Sequence, residues 1–198
     1  MPRPILNYIY KFDELSESAK QKVIDDYRET GFDYDWWDAV YEDARQIGEI
    51  LGIEIDNIYF SGFSSQGDGA CFEGKYAYVK GSAREIKDHA PQDEELHRIA
   101  RELQKLQKVN FYSLSATVKQ SGHYSHEYCT EIDVSDNLNS YGDVTVETDK
   151  ALCVLLRDFM RWIYKNLEAE WDYLSSDEQI IETIQANEWE FDENGKMV

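Results

Sequence analysis

Ile53-Glu54-Ile55-Asp56-Asn57-Ile58-Tyr59-Phe60-Ser61-Gly62-Phe63 and Ala70-Cys71-Phe72-Glu73-Gly74-Lys75-Tyr76-Ala77-Tyr78-Val79 are two runs rich in β-branched and aromatic residues, joined by Ser64-Ser65-Gln66-Gly67-Asp68-Gly69. The joining glycines supply positive φ where the chain must reverse, so the direct reading is a hairpin. A second pair lies further on. Tyr112, Leu114, Ala116 and Val118 alternate with Ser113, Ser115, Thr117 and Lys119; Tyr128, Thr130, Ile132 and Val134 alternate with Glu127, Cys129, Glu131 and Asp133. Each run has one apolar and one wet face, and Gln120-Ser121-Gly122-His123-Tyr124-Ser125 links them. Strands that come as hairpin pairs, and not alternating with helices, predict an α+β fold: a mostly antiparallel sheet of four or five strands with helices packed on one face.

The helices are read from their apolar stripes and caps. Ser16 caps a helix through about Arg28, with Ala19, Val23, Ile24 and Tyr27 on one face, and Gly31 ends it. Asp33 or Asp35 opens a second helix, striped by Trp37, Val40, Tyr41, Ala44, Ile47 and Leu51, which Gly52 stops. A third spans about 93–108, with acids at its start and bases at its end as the helix dipole favours. A fourth fills about 149–174, and Ser175 with Glu178 resembles a capping box for a last helix through Ile184. Ile5–Lys11 reads as a first strand, and Glu188–Val198 as a small hairpin around Asn194-Gly195. No repeat and no linker divides residues 1–198, so a single domain is expected.

Charge excludes more than it specifies. Forty acids against 20 bases give a net charge of −20. Such a surplus repels nucleic-acid phosphates and anionic membranes, and attracts a basic protein surface. It is concentrated at the ends: residues 1–60 carry a net −8, residues 165–198 another −8, and the middle only −4. With 5 Trp, 14 Tyr and 8 Phe the chain is too rich in core-forming rings to be an acidic disordered tail. It has neither an apolar run long enough to span a membrane nor the start of a signal peptide. Cys71, Cys129 and Cys153 are odd in number and form no Cys-x-x-Cys pair, so a reduced, cytoplasmic setting without disulfides is expected.

Three stretches are weighed for chemistry. The glycine-rich run around Asp68 lacks the lysine of a phosphate loop and the repeated oxygen ligands of a calcium loop, and Cys71 has no basic neighbour to activate it; a hairpin turn holding Asp68 is the plain alternative. His123 and His126 form a His-x-x-His pair that could hold zinc if Asp68, Glu127 or Cys71 supplied a third ligand. Trp36-Trp37 sit among acids, where one exposed ring would anchor a partner and two buried rings would serve only the core.

Phe12-Asp13-Glu14-Leu15-Ser16, Trp36-Trp37 with Tyr41-Glu42-Asp43, Phe60-Ser61-Gly62-Phe63 with Gln66-Gly67-Asp68-Gly69-Ala70-Cys71-Phe72-Glu73-Gly74, and Gly122-His123-Tyr124-Ser125-His126-Glu127 together resemble a family of small acidic proteins encoded by bacteriophages and prophages. The resemblance covers most of residues 5–135 and carries no established chemistry. It implies a viral protein acting in a bacterial cytoplasm.

The expected function is therefore a non-enzymatic, acidic phage protein. It would bind and inhibit a basic, nucleic-acid-binding host defence protein of the anti-CRISPR or anti-restriction type, as a nucleic-acid mimic. Asp33, Asp35, Trp36, Asp38, Glu42 and Asp43 are the expected partner-binding residues. No catalytic residue, metal or cofactor is expected, and no direct contact with nucleic acid or membrane. Two alternatives stand: a small metal-assisted hydrolase using Asp68 with His123 and His126, and an antitoxin-like or assembly module. Exposed strand edges could also support a homodimer.

Overall fold

The computed structural model describes residues 8–138 and 144–198. They form an α+β fold whose strands β1 (Tyr10–Lys11), β2 (Ile53–Ser61), β3 (Gly69–Ala77), β4 (Leu114–Gln120), β5 (Thr130–Asp136) and β6 (Glu190–Phe191) make a four-stranded antiparallel sheet, β2-β3-β4-β5, and a two-stranded one, β1-β6. The helices are α1 (Glu17–Thr30), α2 (Asp38–Leu51), α3 (Ser82–His89), α4 (Glu94–Val109), α5 (Val146–Leu174) and α6 (Asp177–Ala186). Both expected hairpins are present. The first strand is shorter than expected and joins β6, outside the main sheet; the Ile5–Asn7 part of that expectation lies outside the described residues.

The chain groups into two compact units, Met1–Trp36 with Ala169–Val198, and Trp37–Glu168. In the smaller unit the two chain ends share a core. Phe12, Leu15, Ala19, Val23 and Ile24 are buried with Ile180, Ile184 and Phe191. Ser16 caps α1 by accepting from the Ala19 N–H at 3.3 Å. Ser176 caps α6 at 3.3 Å from the Gln179 N–H, one residue later than the sequence suggests. The Glu188–Val198 turn is built by Asp192, which accepts from the Asn194 and Lys196 N–H groups at 2.8 and 2.9 Å. Those bonds hold its carboxyl below the usual Asp range.

In the larger unit α4 and α5 present Leu96, Ile99, Leu103, Leu152, Phe159 and Ile163 to the core, with Phe72 of β3 edge-on to Phe159 at 6.0 Å between centroids. Leu114, Ala116 and Val118 of β4 are buried as their alternation predicts. Tyr112 and Tyr128 are not: they lie outside the strands and are exposed. Two buried polar groups tie the layers together. The Gln107 amide donates to the Leu114 carbonyl at 2.8 Å and to the Tyr76 hydroxyl at 3.2 Å, and accepts from the Leu114 N–H at 3.2 Å. Asp158, in the apolar side of α5 and 8% exposed, accepts from Arg98 of α4 at 2.6 Å and from Arg161 one turn on.

Asp158→Ala removes the acceptor shared by two guanidiniums. Arg98 keeps Glu95 at 2.7 Å and Arg161 keeps Glu127 at 3.0 Å, so the loss stays below that of a fully orphaned buried charge. About 2–3 kcal/mol is expected, read by urea unfolding. Gly74 allows β2 and β3 to close at the register shift between Ile55 and Asn57: a Cβ there would stand 1.9 Å from the Glu54 carbonyl oxygen. Gly74→Ala must therefore move backbone, and an unfolding free energy lower by at least ~2 kcal/mol is expected.

Candidate functional site

The β2–β3 and β4–β5 connections meet. A Cβ on Gly67 would lie 2.9 Å from the Tyr124 ring, and one on Gly69 only 2.4 Å from the His126 Cβ. Close approach explains why the run needs glycine at both positions. The β4–β5 connection thus covers the outer side of β3, whose first four residues, Gly69–Phe72, are all buried. Asp68 serves its own turn: its carboxylate accepts from the Ser64 and Ser65 N–H groups at 2.9 and 2.6 Å.

The covered edge is polar and crowded. Glu73 accepts from the Tyr59 hydroxyl at 2.7 Å and from the Gln120 N–H at 3.1 Å. The Tyr59 bond above all, then the Gln120 one, hold the Glu73 carboxyl below its ordinary range. Burial pushes the Cys71 thiol up to about 12, with Cys129, Glu73 and Glu127 adding to it, so Cys71 is inert as a nucleophile at neutral pH. Cys129 lies nearer to chemistry, its Sγ 3.6 Å from His126 Nε2. Yet His126 Nδ1 accepts from the Tyr128 N–H at 3.1 Å, which leaves the ring proton on Nε2. A neutral imidazole held that way points a proton at the sulfur and cannot take one from it. Glu127 is bound to Arg161 at 3.0 Å, and Arg157 lies over the Tyr128 ring at 5.4 Å.

The hydrolase reading needs Asp68, His123 and His126 to converge. Among the described residues no group of three His, Cys, Asp or Glu side chains is placed to hold a metal ion, and all three cysteines are free. The pairs that do form, Tyr59–Glu73, His126–Cys129 and Arg161 with Asp158 and Glu127, were not singled out from sequence. Of their members, His126 and Glu127 were read only as candidate zinc ligands, while Asp158 and Arg161 are visible in sequence only as charges among the apolar residues of α5.

The expected partner-binding residues divide between the units, whose boundary falls between Trp36 and Trp37. Asp38 opens α2, and Glu42 and Asp43 follow on its exposed side, Asp43 lying 3.9 Å from His89 Nε2. The helix starts at Asp38, later than expected, so Asp33 and Asp35 precede it, both exposed, in the smaller unit. Of the two readings of Trp36, the structure favours the buried one: it is 9% exposed, its ring 5.2 Å from that of Trp171. Phe32 packs on the same Trp171 ring at 4.9 Å. These rings line a depression of about 450 Å³ with Glu29, Asp33 and Arg28 around it.

Glu73 makes stability depend on acid in a defined direction. A carboxyl held low in the fold contributes stability above its unfolded pKa, about 4.3, and loses that contribution as pH falls through the folded value. Glu73→Gln is therefore expected to cost stability at pH 7 and to approach the unsubstituted protein by about pH 3. Denaturant titrations at the two pH values check it.

No curated protein and no solved structure matches the chain. Residues 36–177 match the family described as a domain of unknown function, DUF8835, a stretch that encloses the whole of the larger unit. Since it spans well over half of the 198 residues, the chain belongs to the DUF8835 family.

Proposed function

We propose that the protein is an acidic decoy, which binds a basic, nucleic-acid-binding protein and blocks it with carboxylates in the place of phosphates. One observation carries the reading. Residues 8–36 and 169–198 of the smaller unit hold 17 acids against five bases, and every acid but Glu170 and Asp192 is exposed. Four of the five bases are already engaged: Lys20 with Glu17, Arg28 with Asp25 and Asp177, Lys11 with Glu190, and Lys22 with the Asn194 carbonyl. A field of this sign steers a cationic surface and repels nucleic acid.

The Phe32, Trp36 and Trp171 depression offers a point of specificity. A partner's guanidinium would meet aromatic faces there, with Glu29 and Asp33 as acceptors. This gives Trp36 a receiving role in place of the inserting one. Asp38, Glu42 and Asp43 on α2 of the larger unit remain candidate contacts in their own right. In the setting that the phage resemblance implies, the partner is a host defence protein such as a CRISPR effector or restriction enzyme, in the bacterial cytoplasm.

Retention from bacterial lysate over a salt series tests the reading. A basic protein held at low salt, released as salt rises and competed off by nucleic acid is expected. Binding should fall at least about tenfold for the Glu29→Gln, Asp33→Asn, Asp35→Asn triple variant. The absence of any basic partner at low salt would overturn it. A partner of viral origin would replace the host-directed reading with the antitoxin or assembly one.

A further inference from the structure

The groove between α4 and α5 is unlike the rest of this acidic surface. It is a shallow, open groove of about 690 Å³ floored by aliphatic side chains, with Val109 72% and Val154 51% exposed. The two helices run antiparallel, since Asp93 accepts from Trp162, Arg98 meets Asp158, and the C-terminal Val109 shares the groove with Glu147 at the start of α5. Each wall repeats one pattern, Glu-x-x-Lys-apolar-x-x-Val: Glu102, Lys105, Leu106 and Val109 on α4, and Glu147, Lys150, Ala151 and Val154 on α5. Two antiparallel walls with the same order give the groove a local twofold character.

We infer that this groove is where a second copy of the chain docks, face to face about a twofold axis. An interface between identical copies must be self-complementary, and a rim of two acids and two bases meets that condition when the lysines of each copy face the acids of the other. Charge narrows the occupant further. At −20 per chain, two copies repel each other over most of their surface. The rim of this groove carries two acids and two bases, and is neutral as a whole. A cationic partner gains nothing here that it does not gain better elsewhere, whereas a second copy meets alternating acid and base over an apolar floor.

Salt separates this interaction from the decoy reading. Screening weakens attraction to a cationic partner but relieves the repulsion between two acidic copies. Sedimentation equilibrium of the full chain is therefore expected to show a dimer of the 23.2 kDa chain, tightening as salt rises from about 0.05 to 0.5 M. Val109→Glu with Val154→Glu should give a monomer with unchanged circular dichroism. Lys150→Glu, which makes the rim acidic, should weaken the dimer at least about tenfold. Adding Glu147→Lys, which restores neutrality, should recover it. A chain that stays monomeric at about 0.1 mM and high salt, or a dimer indifferent to the valine substitutions, would overturn the inference, whatever the lysate experiment finds.

Discussion

A carboxylate in the apolar side of a long helix must be answered by donors, and Asp158 is the constraint on which the larger unit turns. Its two arginines come from α4 and from the next turn of α5, so the ion cluster sets how these helices lie together. Arg161 continues to Glu127, which draws the β4–β5 connection toward α5. Arg157 reinforces this by donating to the Glu127 carbonyl at 3.3 Å. Once that connection is held, His126 lies against Gly69, β3 is covered on its outer side, and the Cys71 thiol is buried. The groups in this region that look reactive in sequence are thus occupied in holding it closed.

Charge is divided differently from structure. In the larger unit the half-buried Arg98 and Arg161 are tied into the fold through Glu95, Asp158 and Glu127. The smaller unit has too few bases for that, and its acids lie outside a core made by Phe12, Leu15, Ile180 and Phe191. Exposed acids in such excess cost stability through mutual repulsion, so their concentration in one small unit is what a role in binding would explain. The family match encloses the larger unit and stops at residue 177. The acid-rich ends therefore lie mostly beyond the matched stretch.

Much of the fold was legible because its signals are short-ranged. Ser16 and Asp93 cap α1 and α4 through bonds only three residues away. The alternation of β4 survives in Leu114, Ala116 and Val118. The failures have particular causes. The acids from Asp33 to Asp38 look like one helical first turn, but Trp36 leaves that path to pack on Trp171, and the helix begins only at Asp38. α3 escaped notice because its apolar signal is a single buried Ile86, with Ser82 the other buried residue. Tyr112 alternates in phase with β4, yet it belongs to the turn after α4, where its φ is positive and its half-exposed ring lies 4.6 Å from that of Tyr78.

By itself the sequence determined the α+β class, the hairpins, most helix spans and the concentration of charge at the two ends. These depend on periodicity, on capping within one turn and on the sign of side chains, all of which act between near neighbours. Only the tertiary structure decided that the first strand pairs with the last, that the Gly67 and Tyr124 loops meet, that Trp36 is buried, and that two distant Glu-x-x-Lys segments form the walls of one groove. Those contacts join residues tens to nearly two hundred positions apart, and their free energy comes from burying surface that no local pattern assigns to a partner.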